Sequence, residues 1–282
     1  MVNINNDYTN LSSVMATQSH ERTSDRYSFV PTVSVINLLE KNGWEVSSAR
    51  QTNASSKYQG FQKHMIRFRR SGDEGKVLQV GEIIPEILLT NAHNGGSAFN
   101  LMSALFRCWC SNQCVTSDSQ IASHRILHKG YTQEKVLEAV YNIVEDTPKV
   151  MENVEKFKGI SLTDSEQRIF GESAIDILSP LGGDTSKKYN KEVSVNRLLV
   201  PKRDQDVEKN LWNTYNIVQE KFLKGDRFMV EESAIGDYYN REYGKKYARG
   251  KKTKEVKSID KDIRLNKALW SLTEKMAELK TA

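Results

Sequence analysis

The stretch from Ile83 to Val115, IIPEILLTNAHNGGSAFNLMSALFRCWCSNQCV, sets the tightest limit on what this chain can become. It opens with Ile83, Ile84, Ile87, Leu88 and Leu89, a dense aliphatic run that reads as a buried strand. Asn91, His93, Asn94, Gly95 and Gly96 then break it, because Asn and Gly tolerate positive φ and permit a tight turn. Phe99, Leu101, Met102, Ala104, Leu105 and Phe106 form a second run, and Cys108, Trp109 and Cys110 continue toward a third. Ser111, Asn112 and Gln113 make a polar bend before Val115. Apolar runs separated by short polar turns call for a central antiparallel meander with core on its inner face.

The flanks complete the pattern. Val35, Ile36 and Leu39 share one side of a helix expected over 33–41, with Thr32 as its cap and Gly43 as its end. Strands are expected over 44–51 and 63–70. In the second, His64, Ile66 and Phe68 face one way and Met65, Arg67 and Arg69 the other. From Thr132 the apolar spacing turns helical (Val136, Val140, Ile143, Val144, Met151, Val154, Phe157), with Pro148 expected to kink or split the helix. Thr163 and Glu166 form a capping box before a helix with Ile169, Phe170, Ala174 and Ile177 inward. Residues 179–206 read as loop. A helix over 206–224 buries Leu211, Tyr215, Val218 and Phe222 and stops at Gly225. Ser258 caps a last helix with Ile259, Ile263, Leu269, Leu272, Met276 and Leu279 inside.

The expected class is therefore α+β: an antiparallel β-meander with a preceding short helix, packed by a long helix and C-terminal helices. The expected divisions are a disordered N-terminus at 1–20, a β-rich core at 21–130, a helical region at 131–225, a basic mobile segment at 226–257 and a C-terminal helix at 258–282.

Charge is the second constraint. The chain carries +5 overall. Residues 241–257 hold eight Lys or Arg and two Glu, a net of +6 that leaves the remainder at −1. A local basic block on a near-neutral body is a partner signal, and nucleic acid is the commonest polyanion in a cytoplasm. The 38% apolar and 27% charged composition is ordinary for a soluble globular protein. No apolar run reaches bilayer-spanning length, and the first residues lack a basic start and an apolar core, so a cytoplasmic protein without a membrane partner is expected.

Enzyme motifs are scarce: no phosphate-loop glycine pattern, GxSxG, HExxH or dinucleotide fingerprint occurs, and no cofactor is expected. A metal-dependent nuclease using His93 with Asn91 and Asn94 is the catalytic alternative; against it, Asn-His-Asn-Gly-Gly reads as a turn bonding its own backbone. Cys108, Cys110 and Cys114 with His124 or His128 have the ligand types for zinc. The CxC spacing on a strand instead suits reduced core residues, so no metal is expected.

Basic residues carry the stronger signal. Arg67 and Arg69 project from one side of a strand beside Arg70, with Lys63, Arg50 and Arg107 in neighbouring segments. A groove lined by guanidinium groups suits a phosphate backbone, while a strand face paired with Glu82 and Glu86 is the plain alternative. In the basic block, Tyr243 and Tyr247 are interleaved with Lys245, Lys246, Arg249, Lys251 and Lys252, as are Tyr238 and Tyr239 before it. Base stacking with phosphate neutralisation holds single strands without reading sequence.

SDRYSFVPT, KHMIRFRR, PEILLTNAHNGGSA, LFRCWCSNQ, DILSP, KNLWNTYNIVQEKFLKG and SIDKDIRLNKALW resemble, in that order, an uncharacterised phage/plasmid-like family of the enterobacterial YubP/YafZ type. The resemblance runs from about Arg22 to the C-terminus and implies a bacterial host cytoplasm but no reaction. A shorter stretch, VINLLEKNGWEVSSARQ, resembles the helix-to-strand entry of Rad-type single-strand annealing proteins. That likeness implies a ring or filament of identical subunits that holds single-stranded DNA and pairs complementary strands. The expected function is a phage or plasmid single-stranded DNA-binding and annealing protein, acting in recombination as an oligomer. A host-directed anti-defence or regulatory factor, with a host protein as partner, is the alternative.

Overall fold

The computed structural model describes residues 7–25, 27–72, 82–108, 115–119, 123–126, 132–178, 189–234 and 250–281. The chain divides into two compact units, Met1–Val150 and Met151–Ala282.

Unit 1 is built on the meander. Its strands are β1 (Trp44–Gln51), β2 (His64–Arg70), β3 (Ile83–Asn91), β4 (Phe99–Cys108), β5 (Val115–Ser119) and β6 (Ser123–Ile126). They order β1-β2-β3-β4-β5, with β6 also on β4, and every pairing is antiparallel. Pairings such as Phe68↔Ile87 and Leu89↔Leu101 align one apolar face across three strands. Ile66, Phe68, Ile87, Leu89, Phe99 and Leu101 on that face pack with Val35, Ile36 and Leu39 of helix α1 (Thr32–Lys41). Val136, Ala139, Val140 and Ile143 from the first half of α2 (Gln133–Gly159) complete the core. Met65, Leu88, Met102, Ala104 and Phe106, alternating to the opposite face, are buried too. The α+β class and the helix–meander–long helix order stand as expected.

Several local expectations are corrected. Residues 7–20 are not disordered: Val14 is fully buried in the core, and Ser13 donates to Gln51 Oε1 at 2.8 Å. Pro31 occupies the N-cap of α1, and the Thr32 hydroxyl turns inward rather than capping. Pro148 does not split α2, which runs for 27 residues; the Thr147 hydroxyl donates to the Ile143 carbonyl just ahead of the proline.

Unit 2 is helical around α5 (Leu211–Lys224), with α3 (Asp164–Leu178), α4 (Lys191–Leu198) and α6 (Ile259–Thr281). The capping box forms reciprocally: Thr163 N–H donates to Glu166 at 2.7 Å and Glu166 N–H to the Thr163 hydroxyl at 3.3 Å. Helix α4 lies inside the expected loop; Asn190 caps it by accepting from Val193 N–H at 2.9 Å. Ile169 and Leu279, expected inward, are exposed.

The largest surprise is α5, where all residues from Leu211 to Leu223 are buried, polar ones included. Most of those polar side chains donate or accept a hydrogen bond inside the unit. Asn216 donates to the Trp212 carbonyl, Gln219 to Asn266, and Arg203 to Glu220 at 2.8 Å.

Candidate functional site

Three groups of chemistry-bearing side chains can be compared. The first is the strand face of Arg67 and Arg69. Glu86, only 2% exposed, accepts from Arg67 Nε, Arg69 Nε and the Ser47 hydroxyl. Arg67 Nη2 is also in ionic contact with the same carboxylate. Both guanidinium groups lie over the Phe106 ring, at 5.1 and 4.1 Å. This is a buried ion-pair cluster, not the solvent-lined groove expected of these arginines. The other sheet residues do not converge on it. Arg70 sits over Trp44 at 4.7 Å and is exposed; Arg50 contacts the Met65 sulfur at 3.8 Å; Arg107 is buried; Lys63 precedes β2, half-buried.

The second group surrounds His93. Thr32 Oγ1 lies 2.8 Å from His64 Nε2 and 3.3 Å from His93 Nε2, and Asn91 Nδ2 donates to it at 3.1 Å. All four residues are fully buried. Burial pulls His64 down to about 3, helped by the neighbouring His93 and opposed by the Gln62 carbonyl. An imidazole at 0% exposure presents nothing to a substrate, which removes the basis for the nuclease alternative. The turn reading holds instead: Asn91 Oδ1 accepts from Ala92 N–H, and Asn94 Oδ1 from Gly96 N–H. The backbone of this corner also anchors the N-terminal segment, through His20 N–H to the His93 carbonyl and the Tyr27 hydroxyl to the Ala92 carbonyl.

The third group lies in unit 2. After α5 the chain turns at Gly225 (φ 75°) and runs extended. The chain returning at Gly250 pairs with it: Met229 bridges Lys251, Lys251 N–H donates to the Met229 carbonyl, and Thr253 N–H to the Asp226 carbonyl. Glycine is required at both contacts. A Cβ at Gly225 would sit 2.3 Å from the Thr253 carbonyl oxygen, and one at Gly250 2.3 Å from that of Arg227. Beside this paired stem is a cleft of about 280 Å³ lined by Arg197, Lys202, Lys221, Asp226, Arg227, Val200, Pro201 and Phe228. Lys221, buried, donates Nζ to the Arg197 and Val200 carbonyls at 2.8 and 2.6 Å, closing the C-terminal end of α4. Burial pulls its ammonium down to about 8; Asp226 opposes this and Lys202 adds to it. For the Asp226 carboxyl, burial works upward, but the Arg227 N–H and Lys202 outweigh it and hold it below the usual range. Lys251 and Lys252 are exposed on the stem, with Lys251 Nζ 5.9 Å from the Tyr189 ring. Tyr243, Lys245, Lys246, Tyr247 and Arg249 lie outside the described residues.

Residues 19–270 match the family described as a domain of unknown function, DUF932. The chain belongs to this family. It is 31% identical over 263 residues to the UPF0380 protein YafZ of Escherichia coli (strain K12), and 30% identical over 263 residues to the UPF0380 protein YfjQ of the same strain. Each match covers 93% of this chain and 86% of the relative. No solved structure matches.

Neither relative's name states a reaction, so the chemistry of this DUF932 chain is read from its own side chains. No cluster of metal-binding side chains occurs among the described residues; Cys110, Cys114 and His128 lie outside them. No described helix is long and apolar enough to cross a membrane. The cleft residues Arg197, Lys202, Lys221 and Arg227 escaped the sequence reading because they come from separate elements. One signal was available: Gly225 follows the helical pattern of α5 and Gly250 interrupts the basic block, and isolated glycines at such points mark turns or close backbone approach.

Proposed function

We propose that this DUF932 chain is a single-stranded DNA-binding and annealing protein of a phage or plasmid, acting without catalysis as an oligomer. The observation that carries the reading is the paired stem. The Met229–Lys251 bridge lies beside a cleft lined by four cationic side chains, and residues 235–257 around it carry the four tyrosines and all eight Lys and Arg of the basic block. Lysines at the stem and in the block neutralise phosphates, while Tyr243 and Tyr247 offer ring faces to unstacked bases; neither needs a base sequence. Arg67 and Arg69 have no part in this, since both are tied to Glu86 and Arg67 is buried. The annealing and self-assembly parts rest on the resemblance of residues 35–51 to annealing proteins and on the helix–meander–long helix order.

The test is fluorescence anisotropy of a labelled oligonucleotide across a salt series. With about six phosphate contacts, log K should fall against log salt with a slope of about −4. Lys251→Glu with Lys252→Glu should weaken binding and flatten that slope. Annealing is read by quenching between complementary labelled strands, and assembly by light scattering. An oligonucleotide that stays unbound at low salt would refute the reading, and capture of a nuclease-resistant host protein partner would favour the host-directed one.

A further inference from the structure

We propose that the cleft between the end of α4 and the 225–228 turn is a site for a terminal phosphate, the phosphomonoester at the end of a nucleic-acid strand. This rests on the nucleic-acid reading above and names the part of the ligand that this pocket takes.

Four cations reach the cleft from different directions: Arg197 from α4, Lys202 from the following turn, Lys221 from α5 and Arg227 from the chain beyond it. Asp226 is the carboxylate among the lining residues, so the lining carries a surplus of three positive charges. A backbone diester brings one negative charge and two free oxygens. A monoester brings about −1.5 to −2 and three acceptor oxygens, the closer match to this lining. The volume of about 280 Å³ suits one such group rather than a run of nucleotides.

Lys221 supplies the inner contact. An ammonium has three N–H groups, and two go to the Arg197 and Val200 carbonyls. Tetrahedral geometry turns the third away from both carbonyls. A capping role for α4 accounts for the first two bonds but not for the convergence of Lys202, Arg197 and Arg227 on the same space. Gly250 packs closely against two of these residues: a Cβ there would meet the Arg227 carbonyl at 2.3 Å and Arg197 Nη1 at 2.8 Å, so only a glycine lets the returning chain lie beside them. Lys202 is held by Asp226 at 3.1 Å, a pair that an incoming phosphate would compete for.

The experiment compares one oligonucleotide carrying a 5′-phosphate, a 3′-phosphate or only hydroxyl ends, by anisotropy against the full chain. One phosphorylated form should bind on the order of tenfold tighter than the hydroxyl form, as expected for charge-assisted bonds to one added group. Inorganic phosphate should erase that preference. Because Lys221→Met removes the cap of α4 and endangers the fold, the exposed Lys202→Gln and Arg227→Gln carry the test: each should reduce the preference. Asp226→Asn should raise it. Equal affinity for all three oligonucleotides overturns the terminal-phosphate site while leaving nucleic-acid binding intact. Failure of all three to bind overturns the broader reading.

Discussion

Replacing Glu86 by Gln tests how unit 1 holds two arginines away from water. The carboxylate is 2% exposed, and it receives both guanidinium groups and the Ser47 hydroxyl. Gln keeps the volume and one acceptor oxygen. It loses the charge and turns an amide N–H₂ toward donors, so Arg67, at 6% exposure, keeps a charge with no counterion. Breaking one side of a buried ion pair costs about 3–5 kcal/mol. For a unit of this size that corresponds to a melting temperature lower by about 10 °C. Urea unfolding followed by far-UV circular dichroism reads the change directly. A loss below about 1 kcal/mol would refute the reasoning, because water would then have to reach these groups freely. The companion variant replaces all three, Arg67→Met, Arg69→Leu and Glu86→Leu. Removing the whole cluster in favour of apolar side chains should leave stability within about 2 kcal/mol of the parent. Its affinity for an oligonucleotide should be unchanged, whereas a sheet-groove binding surface would lose most of it.

Three further outcomes are expected. The folded-state value of His64 near 3, against an ordinary 6.5, means the unfolded chain binds more protons between those limits. Stability should therefore fall with pH below 6.5, by about 2 kcal/mol at pH 5, and His64→Gln should flatten the slope of urea midpoint against pH; an unchanged slope would exclude His64 as its source. Gly250→Ala should part the stem and lower stability by about 1–3 kcal/mol, with greater proteolysis between 230 and 250; an undisturbed protein would contradict the close backbone approach. The preference for a phosphorylated end should decline as pH rises past about 8, where Lys221, flanked by Asp226, Lys202 and Glu220, loses its proton, while general oligonucleotide binding should persist toward 10. A preference constant from pH 7 to 9.5 would take Lys221 out of the site.

Local patterning made much of unit 1 legible. The alternation in β2 and the aliphatic run of β3 assign faces correctly, because a strand's period is a local property. What alternation does not say is whether the second face stays wet. Arg67 and Arg69 read as a groove only while that face is imagined open. The alternative pairing with Glu86 is the one that forms: a carboxylate in the middle of IIPEILL is a charge inside a buried strand and demands cations across the sheet. Helix α5 was legible on one side only: Leu211, Tyr215, Val218 and Phe222 are buried as expected, while its polar side is buried too. Asn213, Asn216 and Gln219 look like a wet face, yet their amides bond to carbonyls and to Asn266. The candidate cleft was the least legible feature, because Arg197, Lys202, Lys221 and Arg227 meet only through the packing of α4 on α5 and the return of the chain at Gly250.

The bridge between Met229 and Lys251 fastens the two flanks of the stretch between them to each other within unit 2. Both ends are fastened by backbone bonds, so its length and charge can change without passing strain to α5 or α6. Loop closure adds only about 0.6 kcal/mol for each doubling of length. Relatives could therefore lengthen, shorten or recharge this stretch nearly at will, and partner choice could diversify there while the helical body stays constant.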